Sequence, residues 1–388
     1  MLIGILNNRS RMMQGAYQYS LGVIDGLTKD KNHNYFVLNV DSGSKQYTSE
    51  NVRTIVLPSE ARSIIKVARR CAVFFNIPFP YGSYQTVKDL DLDLIVATPA
   101  ASLVGIYVGL PQIVCIHDMM YRFYPDLPEF PLRERIRRNY VYRKSVRSAV
   151  FCVVDSMCGK EHVSKFLGLS EERIKIIPFT PAPYIYRYKD MSSRSVNDLL
   201  SSYDLPQDYL FYPAQFWRHK NHEGLLKALY LIKEGHGDSI PVVFAGSKRN
   251  NHHNVISLIN SLGLEKQVQI LGYVPDKTIV ALYKAARALV FPSLFGPTNI
   301  PIAEAMVLGV PVICSGIFGM PEQVGDAGIM FDPLDPADIA DKIYKVWQDK
   351  ALRETLVERG YDRSASFAPE IYSEKWSRLV NEALEIID

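Results

Sequence analysis

Short apolar runs alternate with segments of helical period along the whole chain. In the first half the runs at 2–6, 35–40, 54–57, 94–97, 113–116, 150–154 and 174–177 predict strands. In the second half those at 209–212, 242–245, 268–271, 288–291, 310–314 and 328–331 do the same. Most are continuous rather than alternating, as expected of strands covered on both faces. Helical segments separate them, among them 223–234, 276–287 and 337–349. This βαβ alternation, run twice, predicts an α/β protein of two doubly wound parallel-sheet domains. Pro178, Pro181 and Pro183, followed by a polar, serine-rich stretch at 191–202, mark the boundary. The expected division is an N-terminal domain at 1–180, a linker at 181–200 and a C-terminal domain at 201–370. An amphipathic final helix fills 371–388, near the cleft between the domains or crossing back to the first of them.

A length of 388 residues and a hydrophobic fraction of 47% suit two cores. The net charge of +3 excludes a polyelectrolyte binder, so any electrostatic partner must be met by a local patch. Cys71, Cys115, Cys152, Cys158 and Cys314 show no paired spacing and read as reduced thiols of a cytoplasmic protein, with no metal site. The opening MLIGILNN has no signal-peptide pattern. Residues 94–116 carry no charge, but Pro99, Gly105, Gly109 and Pro111 interrupt them. A buried strand–loop–strand fits them better than a membrane span.

The segment 291–332 carries the most specific chemistry: FPSLFGPTNIPIAEAMVLGVPVICSGIFGMPEQVGDAGIMFD. Asn299 is placed to cap a helix whose first turn holds Pro301, leaving the amides of Thr298, Asn299 and Ile300 at a helix start suited to an anion. Glu304 follows one turn later, where a carboxylate can accept two ribose hydroxyls. The plainer alternative is a capped surface helix with one solvated Glu. In YLFYPAQFWRHKN, residues 209–221, Gln215, Arg218 and Lys220 lie just beyond a strand end, where open α/β sheets bind ligands. Gly246 and the Gly272-Tyr273-Val274 run follow two further strands.

Across essentially its whole length the chain resembles glycosyltransferase family 4, retaining and metal-independent enzymes of the GT-B fold. GPTNIPIAEAMVLGVPVICS and MPEQVGDAGIMFDPLDPADIA carry the resemblance most specifically. It implies a donor diphosphate at Lys220 and the amides of Thr298, Asn299 and Ile300, a ribose at Glu304, and a nucleobase near Tyr273 and Val274. Two positions depart from the family. A sugar-holding Glu usually stands eight residues before the second one, and here that position is Gly296; an Arg usually stands five before the Lys, and here it is Gln215. Arg218 is a candidate to compensate for that charge. On the acceptor side the resemblance points to Gly15, to His117 beside the reacting sugar as a catalytic group with Lys220, and to Ser156 with Lys160.

The implied activity is hexose transfer from a nucleotide diphosphate sugar, GDP-mannose being one candidate, to a saccharide or lipid-linked acceptor in surface polysaccharide or O-antigen synthesis. No cofactor is implied. Another GT-B sugar-nucleotide enzyme such as an epimerase, or a catalytically silent sugar-nucleotide-binding protein, are the alternatives. Arg62, Lys66, Arg69 and Arg70 share one helical face, and the run Arg133 to Arg147 holds seven positive charges against one Glu. Both suit an anionic membrane surface, and hence a peripheral position on the cytoplasmic membrane, or else are solvated helix faces. No aromatic platform accompanies them, which argues against nucleic acid.

Overall fold

A computed structural model describes residues 1–7, 15–39, 45–58, 75, 77–79 and 81–387. The chain forms two compact units, one of Met1–Phe123, Phe130–Thr180 and Pro369–Asp388, the other of Tyr124–Glu129 and Pro181–Ala368.

The first unit is built on seven strands: β1 (Leu2–Asn7), β2 (Asn34–Asn39), β3 (Val52–Val56), β4 (Leu94–Ala100), β5 (Gln112–Cys115), β6 (Phe151–Val154) and β7 (Ile174–Ile176). Their order is β3-β2-β1-β4-β5-β6-β7, with every pairing parallel. The uncharged 94–116 segment is β4, a short helix Val104–Val108 and β5. Among the described residues no helix is long and apolar enough to cross a membrane.

The C-terminal helix Pro369–Ile387 belongs to this unit. It buries Tyr372, Trp376, Leu379, Val380, Ala383 and Leu384, one stripe at helical spacing. It lies on the helix Gly15–Leu27, where Gly22 and Gly26 sit one turn apart. A Cβ at Gly26 would stand in van der Waals contact with Tyr372 and the Ser373 backbone at 3.5 and 3.6 Å, so the two helices pack closely there. Burying a side chain the size of Trp376 contributes roughly 1.5–3 kcal/mol or more.

The second unit repeats the winding with β8 (Leu210–Tyr212), β9 (Val242–Ala245), β10 (Val268–Gly272), β11 (Ala288–Phe291), β12 (Val312–Ser315) and β13 (Gly328–Phe331), ordered β10-β9-β8-β11-β12-β13 and all parallel. Strand order reverses between β8 and β11, which makes their carboxyl ends the switch point of this sheet. Residues 181–200, expected as a linker, instead form the helices Pro183–Tyr188 and Ser193–Leu200 of the second unit. Ile185 and Val196 are their buried anchors, and Ser192 caps the second of them. Tyr124–Glu129, expected in the first domain, also groups with the second unit.

Candidate functional site

The loops leaving β8 and β11 meet at the switch point. Leu294 N–H donates to the His219 carbonyl at 2.8 Å, and Tyr212 Oη to the Lys220 carbonyl at 2.6 Å. Lys220 closes a short 3-10 turn, Arg218–Lys220, with its Nζ 5.1 Å from the centre of the Phe291 ring. Asn221, at φ 55°, caps the next helix, His222–His236, by accepting from the Gly224 N–H. His222 is buried and stacked on Phe216 at 4.5 Å. Burial, aided by Lys220 and His219, holds its imidazole down at about 3, so it is a neutral packing group.

Gln215 stands where the family carries an arginine. Its Oε1 accepts from Trp217 Nε1 at 2.9 Å and from Arg249 Nε at 3.2 Å, and the Arg249 guanidinium lies 5.3 Å over the Trp217 ring. Gln215 Nε2 is buried with no hydrogen-bond partner among the described residues. The cation that attends Gln215 is Arg249; Arg218, the candidate for the missing charge, is exposed and its backbone N–H donates to Glu129 Oε1. Sequence reasoning missed Arg249, although it lies just past the glycine turn after β9. That turn needs its glycine: a Cβ at Gly246 would fall 2.2 Å from the Ala214 carbonyl oxygen.

The 296–304 loop differs from its expected form. Asn299 occupies the N-cap position of the helix Ile300–Val307, yet its side chain makes no capping bond. Its backbone N–H is not free for an anion either, because it donates to Gln323 Oε1 at 2.9 Å. Thr298 is buried and Ile300 half-buried. Gly319, in the turn after β12, packs so tightly that a Cβ there would fall 1.5 Å from the Pro297 carbonyl oxygen. Phe318 beside it takes a left-handed φ of 55° and packs on Phe295 at 4.4 Å.

Glu304 is neither a solvated surface residue nor an open acceptor. It is 4% exposed, and its two oxygens accept the phenols of Tyr184 at 3.1 Å and Tyr283 at 2.9 Å. Burial raises its carboxyl to about 7, against the pull of those two hydrogen bonds and a third from the Ala182 backbone N–H. With three of its roughly four lone-pair sites taken, the carboxylate has room for about one ribose hydroxyl beside the tyrosines. Tyr184 lies in the segment expected as a linker, which is why it was not foreseen. Of the pair expected near a nucleobase, Tyr273 is 67% exposed, whereas Val274 is buried in the core.

In the first unit, His117 follows β5 with its Nε2 3.0 Å from the Thr98 carbonyl. A carbonyl only accepts, so this contact holds a proton on Nε2. The ring sits edge-on to Tyr19 at 4.4 Å. Ser156 is a fully buried helix cap: it accepts from the Gly159 N–H at 3.1 Å and donates to Asp155 Oδ1 at 3.2 Å, which leaves it structural rather than acceptor-facing. Lys160 pairs with Glu171 at 3.3 Å. Gly15 opens the first helix in open space, and the residues just before it lie outside the described ones. Arg62, Lys66, Arg69 and Arg70 lie outside them too. The run Arg133 to Arg147 lies on the helix Leu132–Ser148, which also exposes Leu132, Ile136 and Tyr140 at four-residue spacing.

The two doubly wound parallel sheets have the GT-B fold. The chain superposes on sucrose-phosphate synthase from Thermosynechococcus elongatus with a TM-score of 0.78 at 18% identity, covering 99% of each chain. It superposes on Anabaena Alr3699/HepE, solved in complex with UDP and glucose, with a TM-score of 0.75 at 19% identity, covering 98% of this chain and all of that one. Residues 202–363, within the second unit, match the model of the family described as glycosyl transferases group 1. The O-antigen chain mannosyltransferase B of Escherichia coli is 31% identical over 244 residues, 62% of this chain. The match spans 63% of that protein's length, less than two thirds.

Proposed function

We propose that the protein is a retaining glycosyltransferase that moves a hexose from a nucleotide diphosphate sugar to a hydroxyl of a saccharide acceptor. The observation that carries this reading is the switch point of the second unit, where the loop bearing Lys220 is hydrogen-bonded to the start of the 293–300 loop. In the transfer the acceptor oxygen bonds to the anomeric carbon as the bond from that carbon to the β-phosphate oxygen breaks; negative charge grows on the departing phosphate, which takes up the acceptor's proton. The Lys220 ammonium and the amides at 298 and 300 stabilise that charge, an electrostatic role that needs no metal or cofactor in its steps. The second unit serves as the donor domain. The first serves the acceptor, with His117 beside the reacting sugar.

The name of the E. coli relative favours a mannosyl donor such as GDP-mannose and a lipid-linked O-antigen acceptor. The helix Leu132–Ser148 supports peripheral attachment to an anionic cytoplasmic membrane surface, since its basic residues flank exposed Leu132 and Ile136. The test is purified protein with a panel of nucleotide sugars and a lipid-linked acceptor. Donor-dependent release of nucleoside diphosphate, with the product's anomer unchanged by NMR, supports the reading. Sugar isomerisation without acceptor, or binding without turnover, overturns it.

A further inference from the structure

We propose that the Asn299 carboxamide contacts the hexose of the donor in place of the carboxylate missing at position 296, so that Gly296 and Asn299 together select the sugar. The inference rests on the nucleotide-sugar reading above and goes beyond it in naming a residue that only this chain's geometry singles out.

Position 296 is closed to a side chain. A Cβ built on Gly296 would lie 2.2 Å from Asn299 Nδ2 and 2.8 Å from Asn299 Cγ. The amide of Asn299 thus fills the place from which the family's carboxylate would project. The Asn299 Nδ2 group is buried and has no hydrogen-bond partner among the described residues, with the whole residue 7% exposed. An N-cap asparagine ordinarily spends its side chain on the helix amides, and this one does not. Gln323 holds the Asn299 backbone at both N–H and C=O, and Arg363 Nε in turn donates to the Gln323 carbonyl at 3.1 Å, which fixes the point from which the side chain projects.

A buried amide donor with nothing to bond is unfavourable for the fold alone, which marks a group kept for a ligand. Nδ2–H can only donate, so its partner is an acceptor oxygen. A hexose hydroxyl oxygen supplies one, and a neutral amide accepts the adjacent diphosphate better than a carboxylate would. Gln215 shows the same signature at the other departure from the family, a buried Nε2 without a partner.

The experiment titrates the full chain and its Asn299→Ala and Asn299→Asp variants with GDP and GDP-mannose, and with UDP and UDP-glucose, and records each melting temperature. For whichever pair binds, Asn299→Ala weakens the nucleotide sugar by about tenfold and the free diphosphate by less than about twofold. Its melting temperature stays level or rises, because an unpaired buried donor is gone. Asn299→Asp weakens both ligands by bringing a negative charge to the diphosphate. An equal loss for sugar and free diphosphate in Asn299→Ala, no loss for the sugar, or a lowered melting temperature overturns the assignment. If wild-type protein binds none of the four ligands, the nucleotide-sugar reading itself fails. If it binds them and discrimination survives the substitution, only the role of Asn299 fails.

Discussion

Gln323 grips Asn299 at two points, accepting its N–H at 2.9 Å and donating to its carbonyl at 2.8 Å. The grip ties the helix Met320–Val324, which follows β12, to the loop after the neighbouring β11. Gln323→Ala would leave the Asn299 N–H unpaired and its carbonyl with only the Ile302 N–H at 3.3 Å. We expect a loss of about 1–3 kcal/mol in urea denaturation. Gln323→Glu keeps the acceptor and loses the donor, so its loss should be smaller. Equal midpoints for both variants and wild type would remove the clamp from the account.

Lys220 is the compact cation at the switch point, and a phosphate contact through it is charge-assisted. Lys220→Ala should weaken nucleoside diphosphate binding by about 10- to 100-fold, with the far-UV spectrum unchanged. Calorimetric titration measures this. A Kd within a factor of two of wild type would move the phosphate site elsewhere.

Two buried groups give stability opposing pH slopes. Glu304 holds its proton up to about 7 in the native state, against 4.5 ordinarily. Its contribution is full below about pH 4.5 and is lost as the pH rises toward 7. His222 stays neutral down to about 3, against 6.5 ordinarily, so its contribution is present above about pH 6.5 and is lost as the pH falls. From pH 4.5 to 6.5 the two largely offset each other. Glu304→Gln should therefore leave stability rising with pH across that window, and His222→Phe should leave it falling. Urea midpoints at three pH values check this, and curves that merely shift in parallel would contradict it.

Gly319→Ala places a methyl group against the Pro297 carbonyl, so the chain must shift within the donor loop. The expected cost is about 1–3 kcal/mol, together with weakened nucleotide binding. Gly235 is the control: it lies inside the helix His222–His236 with nothing within 4 Å of a built Cβ. Gly235→Ala should stabilise by about 0.5–1 kcal/mol. Thermal melts of the pair should move in opposite directions.

Anionic vesicles test the helix Leu132–Ser148. Each basic residue near such a surface contributes about 1 kcal/mol, so an Arg133→Gln, Arg143→Gln double variant should co-sediment roughly thirtyfold more weakly. Ile136→Glu should also release the protein, whereas added salt should weaken only the charge-dependent part. Equal binding to neutral and anionic vesicles would sink the electrostatic account.

The strands were legible because parallel strands covered on both faces must be apolar at every position. The runs at 288–291 and 328–331 coincide with β11 and β13. The run at 310–314 starts two residues before β12, at Val310 and Pro311. The 181–200 segment was misread because its Pro and Ser content resembles a linker, while Ile185, Val196 and Tyr184 reveal their purpose only once packed.

By itself, the sequence determined two parallel α/β sheets and which loops follow their carboxyl ends, since periodicity and strand-end punctuation are local properties of a chain. It also marked Gly296 and Gln215 as departures. Only the tertiary structure decided what occupies those places: Asn299 folded over Gly296, Arg249 drawn to Gln215, and Glu304 enclosed by two tyrosines. These contacts join residues that the chain brings together from separate strands and helices. Their hydrogen bonds and burial depend on packing that no single stretch of sequence encodes.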